Sequence, residues 1–405
     1  MTDFQDWLTE KSSDSWYIHI KRLSANDTGA TGGHQSGVYL PNNSANLLFP
    51  SINRTDEENP SVWLVADIIS HKINGLHVRS VYYNSKPRNQ NPKGRNETRI
   101  TCWGGQNSPV QNQQNTGAIA IFAFSAPDRL KDCELVEVWV CRSLDEESLL
   151  ETIIGEVLPG TALSGVATHI LGGFATDNSS WKSHDYPIPE KWKVTFPGGN
   201  EIIEYLPKIF KFKSNTPDKL LLERRDKEYS LFRQIEEIHV IDKIRKGFSS
   251  VEDFIELANS VSNRRKSRSG KSLEMHIEKI FISNGLTEFT TQSITEGKKK
   301  PDFLFPSVDE YHNLAYPTDK LRMLAVKTTC KDRWRQAISE ANRIEKIHLF
   351  TLQEGVSVNQ YLEMKNAGVT LVVPRPLHDK YPKEIRNELV TLSEFIDETK
   401  KLYQL

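Results

Sequence analysis

Cysteine is scarce in this chain: the four present, Cys102, Cys133, Cys141 and Cys330, form no C-x-x-C pair and have no histidine at zinc-finger spacing. That excludes a zinc-finger reading and fits a reduced, cytoplasmic protein. No run of about 18 apolar residues occurs, so no membrane-spanning helix is expected. The first residues, MTDFQDWLTEKSSDSW, carry no basic segment leading into an apolar core, so no secretory leader is expected either. An excess of one charge is also missing. The net charge is −1, with 26% charged and 37% hydrophobic residues, an ordinary globular balance that names no partner.

Local charge says more. Arg264, Arg265, Lys266, Arg268 and Lys271 form one basic tract, and residues 320–346 carry eight Lys or Arg against three acids. Basic runs are usually solvated faces. These two flank a series of carboxylates, however, and a basic surface beside a metal site is what a phosphate backbone requires.

A length of 405 residues predicts two or three domains. Residues 1–172 read as mostly β, with β-branched and aromatic runs at Trp16–Ile20, Val62–Val65, His77–Tyr83, Ala118–Phe124 and Leu135–Val140 separated by polar turns, the pattern of a barrel or sandwich. A helix is expected at about Glu146–Val157. Gly, Ser, Asn, Asp and Pro dominate the next stretch, which places a linker at 173–189. Residues 190–405 read as α/β. Helices are predicted at Asp218–Lys246, at Ser250–Val261 behind a Ser249-x-x-Glu252 capping box, and at Ser272–Ser283. Strands follow at Asp302–Phe305 and Met323–Thr328, then a helix at about Lys331–Lys346 and a strand at His348–Leu352. A helix at Asn359–Asn366, a strand at Val369–Val373 and a closing helix from Pro382 complete a sheet covered by helices.

The candidate site lies in that second half. Asp302 follows Pro301 at the start of an apolar strand, where its carboxylate emerges at a sheet edge. Lys327 ends the apolar strand Met323–Val326, so its amine reaches the same edge. Metal nucleases commonly carry a second acid two residues before such a lysine, but here that position is Ala325. On the predicted helix Glu340 would be carried back toward Asp302, and Glu274 is a further carboxylate for an outer shell or a second ion. Oxygen ligands without a Cys or His cluster favour Mg²⁺ over zinc, with Asp302 and Glu340 as the metal ligands. Lys327 would steady the attacking hydroxide or the charge developing on phosphorus. Just after it, Thr328–Gln336 mixes Lys331, Arg333 and Arg335 with Asp332 and Trp334. Lys or Arg bonds guanine O6 and N7, and Asp accepts from cytosine N4; the bland alternative is a basic helix start with Trp334 in the core.

The run Lys327-Thr328-Thr329-Cys330-Lys331-Asp332-Arg333-Trp334-Arg335-Gln336, followed by Glu340 and preceded by Pro301-Asp302, resembles the EcoRII-type restriction endonucleases, PD-(D/E)XK enzymes with a displaced second acid. Ile20–Gln35 resembles the N-terminal domain of the same family, so the likeness spans the chain. It implies Asp302, Lys327 and Glu340 as catalytic residues with Glu274 assisting, and Lys331, Asp332 and Arg333 as readers of C·G pairs. Arg225 and Tyr229 would line a pocket for flipped bases. It further implies a B3-like DNA-binding pseudobarrel over 1–172, contacting DNA through Lys21, His34, Tyr39, Lys93, Arg95, Glu97 and Arg99. The implied partners are double-stranded DNA at CCNGG or CCWGG, a second copy of the chain, and a cognate DNA methyltransferase of the same restriction system. Read from the residues alone, Lys93–Arg99 is equally a solvated hairpin tip. Tyr311 leaves a tyrosine recombinase as a rival reading, with covalent attack on phosphate and no metal. A DNA-binding regulator that has lost its nuclease activity is a third.

Overall fold

Period-two burial organises the first half of the chain. Its strands are β1 (Trp16–Arg22), β2 (Val38–Leu40), β3 (Ser61–Ile68), β4 (Ile73–Tyr83), β5 (Glu97–Thr101), β6 (Ile119–Ser125), β7 (Leu135–Val140) and β8 (Ala162–Val166). They pair in the order β2-β5-β4-β3-β7-β6-β1-β8, antiparallel except for the parallel β3–β7 pair. β6 is buried on both faces. Ala120, Phe122 and Phe124 enter one core with Val38, Leu64, Val78 and Ile100, whereas Ile119, Ile121 and Ala123 enter another with Phe4, Trp7, Trp139 and Leu150. The second core holds the helix Leu144–Ile154 on the sheet. Ser143 caps that helix by accepting from Glu146 N, and Gly155, at φ 91°, ends it. The buried Arg22 guanidinium ties the helix to β1 by pairing with Glu147 (2.7 Å) and Glu151 (2.8 Å).

This computed structural model describes residues 3–31, 37–125, 131–171, 186–331 and 333–404. They group into two compact units. The first comprises Met1–Ser180 with Gln353–Gln360 and Lys380–Glu384, and the second Trp181–Leu352, Tyr361–Asp379 and Ile385–Leu405. Most of the expected linker, 173–185, lies outside the described residues. Its end does not dangle: Tyr186 and Ile188 pack on a cluster of Trp192, Leu206, Leu231 and Phe232 in the second unit.

In the second unit β9 (Thr290–Thr291), β10 (Phe303–Phe305), β11 (Arg322–Lys327), β12 (Ile347–Thr351) and β13 (Val369–Val372) form a sheet in the order β13-β12-β11-β10-β9. Pairing is antiparallel from β9 to β11 and parallel from β11 to β13. Phe281, Phe303, Phe305, Leu324, Phe350 and Phe395 are buried together in its core.

Three expectations are corrected here. The helices predicted at Ser250–Val261 and Ser272–Ser283 are one helix, Val251–Ser283, capped by Ser250 accepting from Asp253 N rather than by Ser249. It continues through Ser269-Gly270 because it packs along the helix Pro217–Lys246, where Arg265 and Arg268 find carboxylate partners. The helix expected over 331–346 shrinks to Trp334–Ile338. Beyond it, carbonyls that a helix would use are taken by side chains: Thr295 Oγ1 donates to Glu340 O (2.5 Å) and Lys299 Nζ to Ser339 O (2.6 Å). The closing helix starts at Leu392, not Pro382, because the capping box is Thr391 with Glu394.

Candidate active site

The β9–β10 hairpin and the end of β11 set the geometry. Phe303 is opposite Thr291 and Leu324, which puts Asp302 beside Gln292 on one side and Ala325 on the other. Asp302 is only 5% exposed. Its Oδ2 accepts from the Val326 backbone N–H (2.7 Å) and from Lys327 Nζ (2.9 Å), and its Oδ1 accepts from Gln292 Nε2 (3.1 Å). The same Gln292 nitrogen donates to Glu274 Oε2 (2.9 Å), bringing the carboxylate of the Val251–Ser283 helix to the sheet edge.

Glu340 joins from the turn after Ile338, not from a helix. Its Oε2 is buried and has no hydrogen-bond partner among the described residues. Burial pushes its carboxyl up to about 7, with Lys327 opposing the rise and Asp302 adding to it. Burial likewise pushes Glu274 up to about 7, and the negative charge of Asp302 reinforces this. The four residues expected to be catalytic are therefore electrostatic neighbours, and Ala325, where a second acid commonly sits, is buried and apolar. Among the described residues, no three His, Cys, Asp or Glu side chains are already gathered as a metal cage. Still, an orphaned buried carboxylate oxygen and two carboxyls that resist ionisation are what a site needing a hard cation presents.

The residues expected to read bases sit on the turn after β11. Lys331 and Arg333 are half-buried there, and Asp332 lies outside the described residues. Trp334 is buried in the core, with the Arg335 guanidinium 4.5 Å from its ring centroid. Arg225 and Tyr229 share a face of the Pro217–Lys246 helix, one turn apart, and Arg268 lies 4.6 Å over the Tyr229 ring. Two arginines of the basic tract 264–271 are engaged by carboxylates rather than free for phosphate. Arg265 is paired with Glu236 (2.6 Å) and the buried Arg268 with Glu228 (2.6 Å). Tyr311 is buried and donates its hydroxyl to Glu296; burial and that carboxylate push its phenol up to about 12, which disfavours it as a nucleophile.

In the first unit Tyr39 and Arg99 are direct cross-strand neighbours on β2 and β5. Arg99 donates to Glu97 through Nε (3.0 Å) and Nη2 (3.2 Å), and to Gly37 O (3.1 Å). Arg95 lies 5.5 Å over the Tyr83 ring, and Lys93 is exposed. Lys21 stands on β1, toward the other end of the strand order, and pairs with Asp27 (2.7 Å). His34 lies outside the described residues.

Gln292 was not anticipated. Its place opposite Asp302 is set by the register of the β9–β10 hairpin, which leaves no mark in the residue's own sequence neighbourhood.

Residues 12–168 match the family model described as restriction endonuclease EcoRII, N-terminal, and residues 232–396 match EcoRII C terminal. The type II restriction enzyme EcoRII of Escherichia coli is 53% identical over 403 residues, covering 100% of this chain and 98% of that protein. Among solved structures, metal-depleted Ecl18kI in complex with uncleaved, modified DNA aligns at TM-score 0.42 and 21% identity, over 53% of this chain and 82% of that one. The same protein with uncleaved DNA aligns at TM-score 0.42 and 20% identity, over 54% and 86%.

Proposed function

The chain belongs to the EcoRII family of type II restriction endonucleases, and from that premise we propose that it cuts duplex DNA at 5′-CCWGG as a Mg²⁺-dependent homodimer. The observation that carries this reading is the Asp302–Lys327 pair at the ends of β10 and β11, with Glu340 and Glu274 beside it. Asp302 and Glu340 would hold the divalent ion. When bound, Mg²⁺ supplies Lewis-acid stabilisation of the charge that builds on the phosphate and acidifies the attacking water.

The protein's own groups do the rest. The Val326 N–H fixes the Asp302 carboxylate, which in turn holds the Lys327 ammonium at the sheet edge. That ammonium faces the phosphate and stabilises its developing negative charge. Glu274 adds an outer carboxylate. Lys331 and Arg333 donate to guanine O6 and N7, and Asp332 accepts from cytosine N4. Arg225 and Tyr229 line the pocket for a flipped base. A palindromic site requires one nuclease centre per strand, hence two-fold symmetry.

The domains are 1–172, a linker at 173–189, and 190–405. The first is a B3-like pseudobarrel that binds a second copy of the site through Lys21, His34, Tyr39, Lys93, Arg95, Glu97 and Arg99. Its occupancy relieves autoinhibition of the nuclease. The protein works in the cytoplasm, where a cognate methyltransferase protects the host's own sites. Digestion of a plasmid of known sequence, with Mg²⁺ or with EDTA, followed by sequencing of the ends, tests this reading. We expect ends only at 5′-CCWGG and none in EDTA; ends elsewhere, or cleavage in EDTA, overturn it.

A further inference from the structure

The two carboxylates Glu274 and Asp302 repel each other, and one neutral group lies against both. The Gln292 side-chain amide has two N–H bonds, and its nitrogen is 2.9 Å from Glu274 Oε2 and 3.1 Å from Asp302 Oδ1, so it offers one hydrogen to each acid. A carboxylate has about four lone-pair sites. On Asp302 the Val326 N–H and the Lys327 ammonium both fall on Oδ2, while among the described residues only Gln292 falls on Oδ1. Gln292 therefore takes one of the two Oδ1 acceptor positions and leaves the other open. Its side chain is not needed to close the hairpin, because its backbone N–H already donates to Pro301 O (3.2 Å). The residue is exposed, and its left-handed backbone (φ 51°) turns the chain out of β9 toward the site.

We infer that Gln292 is a positioning residue for the cation site, its amide holding Glu274 and Asp302 in register before a divalent ion arrives. This rests on the reading of Asp302 and Glu340 as metal ligands. Removing a donor that hydrogen-bonds a metal's carboxylate ligand typically changes metal affinity about 10–100-fold.

The test uses the full-length, DNA-free protein titrated with Mn²⁺ by electron paramagnetic resonance, which reads metal binding without cleavage. Gln292→Ala and the near-isosteric Gln292→Met, which keeps the volume but has no donor, should both weaken Mn²⁺ binding about 10–100-fold. Their thermal melting should match the native protein. In cleavage assays the Mg²⁺ concentration for half-maximal rate should rise by a similar factor. Native Mn²⁺ affinity in either variant, or tighter binding, overturns the inference and leaves the metal site standing. If Gln292→Ala melts early, Gln292→Met decides: native binding by it overturns the inference, and weakened binding upholds it. Absence of Mn²⁺ binding by the native protein overturns the metal-site reading, and the inference with it.

Discussion

Lys327 places a positive charge 2.9 Å from Asp302 with its side chain 18% exposed, covered enough to be oriented and open enough to meet a phosphate. Lys327→Ala should leave DNA binding nearly intact, since other groups hold the duplex, but reduce single-turnover cleavage by about 10²–10³, the usual effect of one electrostatic stabiliser. Undiminished cleavage would remove this lysine from the site. Arg333→Ala should weaken binding to 5′-CCWGG by about 1–3 kcal/mol and spare non-specific binding, as a base-edge contact does. Equal loss on all sequences, with a shallower salt dependence, would mark a phosphate contact instead. Asp302 and Lys327 were legible because a proline and an apolar strand announce where each carboxylate or amine leaves the sheet. Glu340 was expected beside Asp302 from its spacing on a helix, but that helix is replaced by a turn tied to Thr295 and Lys299, a tertiary arrangement that spacing does not show. Gln292 was not legible, because a polar residue acquires its role there from cross-strand register.

The long helices Pro217–Lys246 and Val251–Ser283 are joined through buried charge. Arg268 donates to Glu228 through Nε (2.9 Å) and Nη2 (2.6 Å), and Ser272 Oγ adds a third bond (2.9 Å). Burial alone would raise the Glu228 carboxyl, but the Arg268 charge and hydrogen bonding outweigh it and hold the group well below the usual carboxylate range. His276 lies fully buried with Nε2 at 3.9 Å from Glu228 Oε2; burial pulls its ring down to about 4, against the counteracting pull of Glu228. The signs decide the pH response. Below 6.5 the unfolded chain protonates this histidine and the folded one does not, so stability falls as pH drops from 6.5 toward 4. The Glu228 contribution, present above its unfolded pKa, is lost only at lower pH. From His276 the loss between neutral pH and pH 5 is about 2 kcal/mol. Urea unfolding of His276→Phe should show a loss smaller by that amount, and an unchanged loss would place the proton uptake elsewhere. Nothing in the sequence of the tract 264–271 distinguishes such a buried lattice from a phosphate-binding face. The distinction depends on Glu228 and Glu236, which stand on a different helix and are found only after the helices pair.

The change from alternating to helical periodicity places an expected division at 173–189, whereas the two compact units are not two uninterrupted stretches. The segments Gln353–Gln360 and Lys380–Glu384 belong to the first unit although they follow β12 in sequence. They are short segments with no strand pattern of their own, and the first runs into the helix Val358–Asn366, so the sequence carries no sign of the assignment. Within that unit Ala25 N donates to Glu354 O (3.1 Å), Gln353 Nε2 to Thr116 O (3.3 Å) and Gln360 Nε2 to Gln114 O (3.0 Å). At Gly355, where φ is +100°, a Cβ would come 2.4 Å from that of Ala25, so the fit admits glycine alone. A fragment starting near Asp185 loses these partners, at a cost of about 1 kcal/mol per hydrogen bond, while the core around Phe281, Phe303 and Phe395 stays whole. We therefore expect the fragment to fold and dimerise, with amide exchange accelerated at 353–360 and 380–384. If the first unit restrains the nuclease until it binds its own DNA, a coupling of about 1–3 kcal/mol suffices. The fragment should then cut a one-site plasmid faster than the full chain and lose the advantage of a two-site plasmid. Slower cleavage of the one-site plasmid by the fragment would mean that the first unit contributes affinity and exerts no restraint.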